Sequence, residues 1–397
     1  MKNSNVNKTN QVVLAGQVIG TEGSFQAGDK AICIEEDTIT EIHDLKSYRP
    51  PEGARIRDWS SYTVIPGLVD CHDHLGLDLG DEHAQALEHD FRNVLRGVRN
   101  ARRLLAAGIT TLRSVGEKNY MDVHWREAIT AGWMPGPRLI IAGKFIMRTG
   151  GHCWYLGTEA DGPDAIRRAV REQLKNGADF IKLMITGGSS TAGSVPTNSD
   201  YTDQEIQAAI EEAHRCGLTV AAHVHGGPGA RAAIEAGVDS IEHGVYLTED
   251  DLSLMANRKT VLCATYGVYT AAANLENVPD FMKENCAKAA DHYISTLAMA
   301  HKCGVKVVFG GDTYHADPAA EFKGLIKAGF SPEEAFQAGT INGAALLGLE
   351  DRLGSIEPGK LADLVALRDN PLETPDALGD VVSVMKAGVV YTPECLI

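Results

Sequence analysis

Asp179-Phe180-Ile181-Lys182-Leu183-Met184-Ile185-Thr186 is an apolar run the length of one β-strand, interrupted by a single lysine. Similar runs lie on either side of it: VIPGLVDCH (64–72), ITTLRSV (109–115), RLIIAG (138–143), LTVAAHVH (218–225), SIEHG (240–244), TVLCAT (260–265) and VKVVFGGD (305–312). Between them lie helix-like segments such as FRNVLRGVRNARRLLAAG (91–108) and DAIRRAVREQLKNGA (164–178). Near-continuous apolar strands alternating with helices indicate a parallel sheet covered on both faces. Eight such units predict a closed (β/α)₈ TIM barrel, an α/β fold, over an open doubly wound sheet.

The chain ends read differently. Residues 11–65 and 355–397 carry short strands and turns, such as QVVLAGQVIG, KAICIEE, LADLVAL and VVSVMKAGVVY. We therefore expect a composite β-sandwich domain from residues 1–65 and 355–397, and a catalytic barrel over residues 66–354. The 397 residues suit a barrel of roughly 250 residues plus such an accessory unit.

The charge, 37 − 53 = −16, makes the chain a poor partner for nucleic acid. Eight scattered cysteines without a CxxC pair suit free thiols in a reducing cytosol. The polar start, MKNSNVNKTNQ, has no apolar leader core, and no window has the length of a membrane span. The expectation is a cytoplasmic protein that acts on a small molecule, with neither nucleic acid nor membrane as partner.

Ionisable residues collect at the C-terminal ends of the apolar strands, the face on which barrels build active sites. The first strand ends in Asp70-Cys71-His72-Asp73-His74. Strand side chains at i and i+2 share a face, so His72 and His74 can reach one cation. Lys182 lies inside the fourth strand, where burial lowers an amine's pKa; a neutral amine can add CO₂ and become an oxygen ligand. The fifth strand ends in His223-Val224-His225, the sixth in Glu242-His243-Gly244, and the eighth in Gly310-Gly311-Asp312. Neutral imidazoles and a carboxylate are metal-ligand types, and Asp312 could also shuttle a proton. One ligand type per strand end, in barrel order, points to a metal-dependent hydrolase working through a metal-bound hydroxide.

These residues resemble the amidohydrolase superfamily. The likeness rests on Pro66-Gly67-Leu68-Val69-Asp70-Cys71-His72-Asp73-His74, on Gly177-Ala178-Asp179-Phe180-Ile181-Lys182, on Ile241-Glu242-His243-Gly244 and on residues 354–365, GSIEPGKLADLV. The spacings, 41 residues from Lys182 to His223 and 20 from there to His243, resemble its binuclear branch, which holds Xaa-Xaa dipeptidases (prolidase-like and arginine carboxypeptidase-like) and the ochratoxin-hydrolysing amidase. The resemblance implies two divalent cations. His72, His74 and Asp312 would hold the more buried one, His223 and His243 the other, and carbamylated Lys182 would bridge them. Zinc is the first choice, although histidine and carboxylate ligands also accept iron and manganese. A homo-oligomer is implied as well. Imidazolonepropionase-like members lack the bridging lysine, so Lys182 argues against that assignment.

Gly150-Gly151-His152 resembles a loop whose histidine contacts the scissile carbonyl. His225 stands where dipeptidase relatives often carry tyrosine, which puts a strict dipeptide substrate in doubt. A substrate carboxylate could be received by Arg113, Arg148, His225 or Tyr246, and the sequence does not choose among them. The loop of residues 187–196 should edge the pocket. Gly227-Pro228-Gly229-Ala230-Arg231-Ala232 fits a dinucleotide-binding pattern, but histidines precede it on a fifth barrel strand, so it is set aside. Cys71 reads as packing. The leading expectation is hydrolysis of the amide of an N-acyl amino acid or dipeptide. Hydrolysis of a cyclic amide, urea or carbamate, including synthetic compounds, and a non-enzymatic scaffold on the same fold are the alternatives.

Overall fold

Eight strands alternate with helices in a computed structural model that describes residues 10–21 and 24–397. The polar stretch at residues 1–9 lies outside the described residues. The strands are β1 (Leu68–Asp73), β2 (Ile109–Ser114), β3 (Arg138–Ile141), β4 (Phe180–Met184), β5 (Thr219–Gly226), β6 (Ser240–Tyr246), β7 (Val261–Ala264) and β8 (Val307–Phe309). Every residue of β2 and of β4 is buried, as expected for parallel strands with side chains inside the barrel and helices outside. The helix Asp90–Ala106 shows how the outer layer is written. It buries Asn93, Gly97, Asn100, Ala101, Leu104 and Leu105 along one stripe at helical spacing, and its arginines take the other faces.

Parallel ladders join β1 to β2 to β3, and β4 through to β8 in order. Two seams close the ring. Asp179 N donates to Ile141 O between β3 and β4, and Asp312 N donates to His72 O between β8 and β1, each at 2.8 Å. The second seam needs Gly310: a Cβ there would lie 2.4 Å from the Cβ of His72 and 2.8 Å from its nitrogen. The fold is thus the TIM barrel expected from the strand series.

The chain ends build one hydrogen-bonded sheet of eight strands. Strand Asn10–Thr21 lies beside Arg55–Pro66, which pairs in turn with Leu364–Leu367. The expected sandwich therefore takes the form of a single continuous sheet closing around a core of its own. That core draws Ile32 and Ile39 from one end of the sheet and Leu364 and Met385 from the other. Arg55–Pro66 runs into β1 through Gly67, whose nitrogen donates to Asp363 O at 2.8 Å. Among the described residues no helix is long and apolar enough to cross a membrane.

Candidate metal centre

His72 and His74 are aimed by their second ring nitrogens. Nδ1 of His74 lies 2.7 Å from Gly116 O. A carbonyl only accepts, so Nδ1 carries the proton and Nε2 keeps a lone pair. Nδ1 of His72 lies 2.7 Å from a Glu242 carboxylate oxygen and is fixed in the same way. Both Nε2 atoms face Oδ1 of Asp312, at 3.5 Å from His72 and 3.9 Å from His74. Two imidazole lone pairs thus face the Asp312 carboxyl, an arrangement that suits a cation. The two aspartates of the strand-end motif serve the backbone instead. Asp70 accepts from His72 N and Gly311 N, and Asp73 from His74 N and Thr313 N. They fasten the end of β1 to the turn after β8.

The other imidazoles lie beside them. The ring centroid of His243 is 4.8 Å from His72 and 4.6 Å from His223. Nδ1 of His243 is 2.8 Å from Thr265 Oγ1, and Nε2 of His223 is 3.2 Å from Gly187 O. His243 and Asp312 have left-handed backbone, with φ of +72° and +47°. Such conformations are costly for residues with a Cβ and cluster at functional sites. Burial pushes His72 down to about 3 and His74 to about 4, with the Lys182 charge adding to both shifts. At neutral pH these rings are neutral, the form that binds metal.

Lys182 is 1% exposed, and its Nζ has no hydrogen-bond partner. Burial lowers its pKa to about 8, against the raising fields of Glu242 and Asp312. A partnerless buried amine costs free energy as it stands. As a carbamate it would present two oxygens, so the residues present fit a bridged pair of cations.

One cavity is lined by His72, His74, Lys182, His223, His243 and Asp312, together with His152 and His225. Ser189 and Ser190 also line it, which puts the loop of residues 187–196 at its edge. His152 packs on Gly188, where a Cβ would lie 2.2 Å from its Nε2, and its Nδ1 is 2.9 Å from Thr191 Oγ1. His225 stacks on His243 with ring centroids 5.1 Å apart, and its Nδ1 is buried without a partner.

Three candidate carboxylate receivers stand elsewhere. Arg113 is buried inside the barrel and donates to Glu242 Oε1, Ser240 Oγ and Cys71 O. Arg148 pairs with Asp200 at 2.9 Å and does not line the cavity. Tyr246 packs against His225 and His292, also outside the lining. Cys71 is packed with Val69, Cys263 and Val308, and burial raises its thiol to about 12. Gly229 of the dinucleotide-like stretch packs against Ile185 and Ser199.

Two acidic groups were not singled out from the sequence. Glu242 adjoins His243 and takes its charge partner, Arg113, from another strand. Glu82 lies on a loop helix after β1 and reaches the cavity wall. Only the first had a signal, its place inside the Ile241–Gly244 motif.

Residues 63–392 match the amidohydrolase family. The chain belongs to that family. It is a hydrolase acting on C–N bonds of amides, and amidohydrolases generally use a binuclear metal centre. Ochratoxinase from Aspergillus niger is 32% identical over 346 residues, covering 78% of this chain and 71% of its own. A crystal structure of a Xaa-Pro dipeptidase with bound methionine matches with a TM-score of 0.89 at 31% identity, covering 96% of this chain and all of the other. A prolidase complexed with N-methylphosphonate-L-proline matches with a TM-score of 0.90 at 27% identity, covering 97% of this chain and 100% of its own.

Proposed function

We propose that this amidohydrolase cleaves the amide bond of a dipeptide or N-acyl amino acid at a centre of two divalent cations, zinc in the first place. The observation that carries this reading is the Lys182 amine, buried without a partner among His72, His74, His223, His243 and Asp312. Addition of CO₂ to its nitrogen, with loss of a proton, would turn Lys182 into an oxygen ligand for the cations. His72, His74 and Asp312 would hold one cation, and His223 and His243 the other. Cations bound there polarise the scissile carbonyl and bring the pKa of water to about 7.

The side chains divide the remaining work. Asp312 takes the proton of the attacking water and passes it to the leaving nitrogen. Thr191 Oγ1 accepts from Cys153 N at 3.0 Å, so its own proton can go to Nδ1 of His152. His152 then carries a proton on Nε2 with which to hold the substrate carbonyl oxygen. The apolar wall of Phe145, Leu156 and Met184 excludes water from the reacting groups. All eight cysteines are free, which supports a reducing, cytoplasmic setting.

A second reading draws on the same lining. Among the described residues, no lysine or arginine apart from Lys182 lines the cavity. Neutral cyclic amides, ureas or carbamates need no such group. The test is a panel of dipeptides, N-acyl amino acids, cyclic amides and neutral ureas on metal-replete protein, run beside Lys182→Ala. Dipeptides or N-acyl amino acids should turn over. The variant should lose metal and activity together, and the wild-type intact mass should carry one added CO₂. Turnover of neutral ureas alone would refute the substrate class, and full metal content with activity in the variant would remove the bridging lysine.

A further inference from the structure

Glu82 opens the six-residue helix Glu82–Leu87, on the loop leading out of β1. The helix is already capped by Asp81, whose Oδ1 accepts from Ala84 N at 2.9 Å, so Glu82 has no capping duty. Its side chain instead lines the cavity that holds Asp312, next to Ser189, Ser190, Met282 and Cys286. Among the described residues no lysine, arginine or histidine forms an ion pair with it; the partner of its carboxyl is the Ser190 hydroxyl. Burial holds its pKa up at about 7, the Ser190 hydrogen bond working against that. The titratable groups that feel its field are Asp312, Cys153, Tyr155 and Cys286, and none of them is a cation. The imidazoles of His152 and His225 are neutral, because burial pushes both to about 3.

Among the described residues the cavity therefore holds two carboxyl groups. Asp312 is accounted for by the metal centre, and Glu82 is not. Glu82 is half-buried at the cavity wall, and a carboxylate so placed without a cation is an unfavourable arrangement. It becomes favourable when the ligand brings the cation.

We propose that Glu82 is a specificity-determining residue that selects substrates bearing a cationic nitrogen, pairing with that ammonium group while the scissile amide lies at Asp312. The proposal rests on the amide-hydrolase reading above. Within that reading it favours a dipeptide, which carries an α-ammonium, over an N-acyl amino acid, whose acyl half is neutral. A basic side chain on the substrate offers the same chemistry from a second source.

The test uses metal-replete holoenzyme, wild type, Glu82→Gln and Glu82→Asp, with three substrates. These are a dipeptide of two apolar residues, its analogue lacking the α-amine, and that analogue with a lysine side chain. Wild type should prefer one of the two cationic substrates over the neutral analogue by roughly tenfold or more in kcat/KM, the order expected of one desolvated ion pair. Which cationic substrate leads identifies the source of the ammonium. Glu82→Gln should bring that ratio close to one, and Glu82→Asp, which keeps the charge, should retain part of it. A ratio unchanged in Glu82→Gln, or a wild type that favours the neutral analogue, overturns the proposal.

Calorimetry with an apolar amino alcohol, a cationic ligand that has no amide bond to cleave, separates the two readings. If none of the three amides is cleaved, the substrate class falls, yet ligand binding about tenfold weaker in Glu82→Gln still supports the pairing. Equal binding by wild type and Glu82→Gln removes it.

Discussion

Replacing Glu242 with glutamine keeps its shape and removes one charge at the centre of the barrel. Oε1 accepts from Arg113 Nη2 at 2.7 Å and from Ser240 Oγ at 2.5 Å, and Oε2 accepts from His72 Nδ1 at 2.7 Å. A glutamine has one oxygen and one NH₂ to offer these three donors. With its oxygen toward Arg113, its NH₂ meets His72 Nδ1 and drives the ring proton onto Nε2, the atom needed as a ligand. With its oxygen toward His72, its NH₂ meets the guanidinium, donor against donor. Arg113 and Glu242 are 4% and 0% exposed, so water cannot replace the lost partner. Breaking a buried pair of this kind costs about 3–5 kcal/mol. Losing the carboxylate behind a metal-binding histidine weakens metal affinity by about 10–100-fold. Denaturant unfolding of metal-free protein reads the first effect, and a competition titration with a chromophoric chelator reads the second. The same geometry makes the double variant Glu242→Gln/Arg113→Met informative. Without the guanidinium, the glutamine oxygen can turn to His72 and its NH₂ to Ser240, so stability and metal affinity should both recover. A single variant that unfolds within about 1 kcal/mol of wild type and binds metal equally well would refute the reasoning.

Gly310→Ala should lower both stability and metal content, because its Cβ would come within 2.4 Å of the His72 Cβ and the contacting backbone cannot yield; unchanged unfolding and full metal loading would show that the seam tolerates a methyl group. The pH dependence of stability offers a third check, at Lys386. Burial lowers its pKa to about 8 from 10.5, Arg138 adding to the shift, while Nζ donates to Gly136 O at 2.5 Å. Between those values the unfolded chain binds the proton that the folded chain has released, so this group makes stability rise with pH across that window. Lys386→Met should remove that rise, and a wild-type denaturation midpoint that climbs no faster than the variant's from pH 8 to 10.5 would contradict it.

The barrel was legible because parallel strands buried on both faces leave long apolar runs, and eight of them stand in order. The positions of His72, His74, Lys182, His223, His243 and Asp312 were legible for a related reason. An ionisable residue within or at the end of such a run has few places to go except the barrel interior and its mouth. The sequence leaves Arg113 open among four carboxylate receivers because its contacts depend on a partner 129 residues away. A strand sequence shows that an arginine lies in an apolar run; it does not show that Glu242 and Ser240 stand opposite to receive it. Arg148 was taken up by Asp200 through a loop contact that no periodicity encodes. Glu82 escaped notice for the same reason, since its access to the cavity depends on how the chain turns after β1.

The sheet at the chain ends ties the metal site to the order of synthesis. Thr63–Pro66, the strand end that continues into β1, pairs with Leu364–Leu367, about three hundred residues later. A nascent chain that has already made Asp312 still lacks the strand that clamps the root of β1. Pairing across so long a loop carries a large closure entropy and slows folding. The strand that fastens the root of β1 is therefore synthesised after every strand of the barrel.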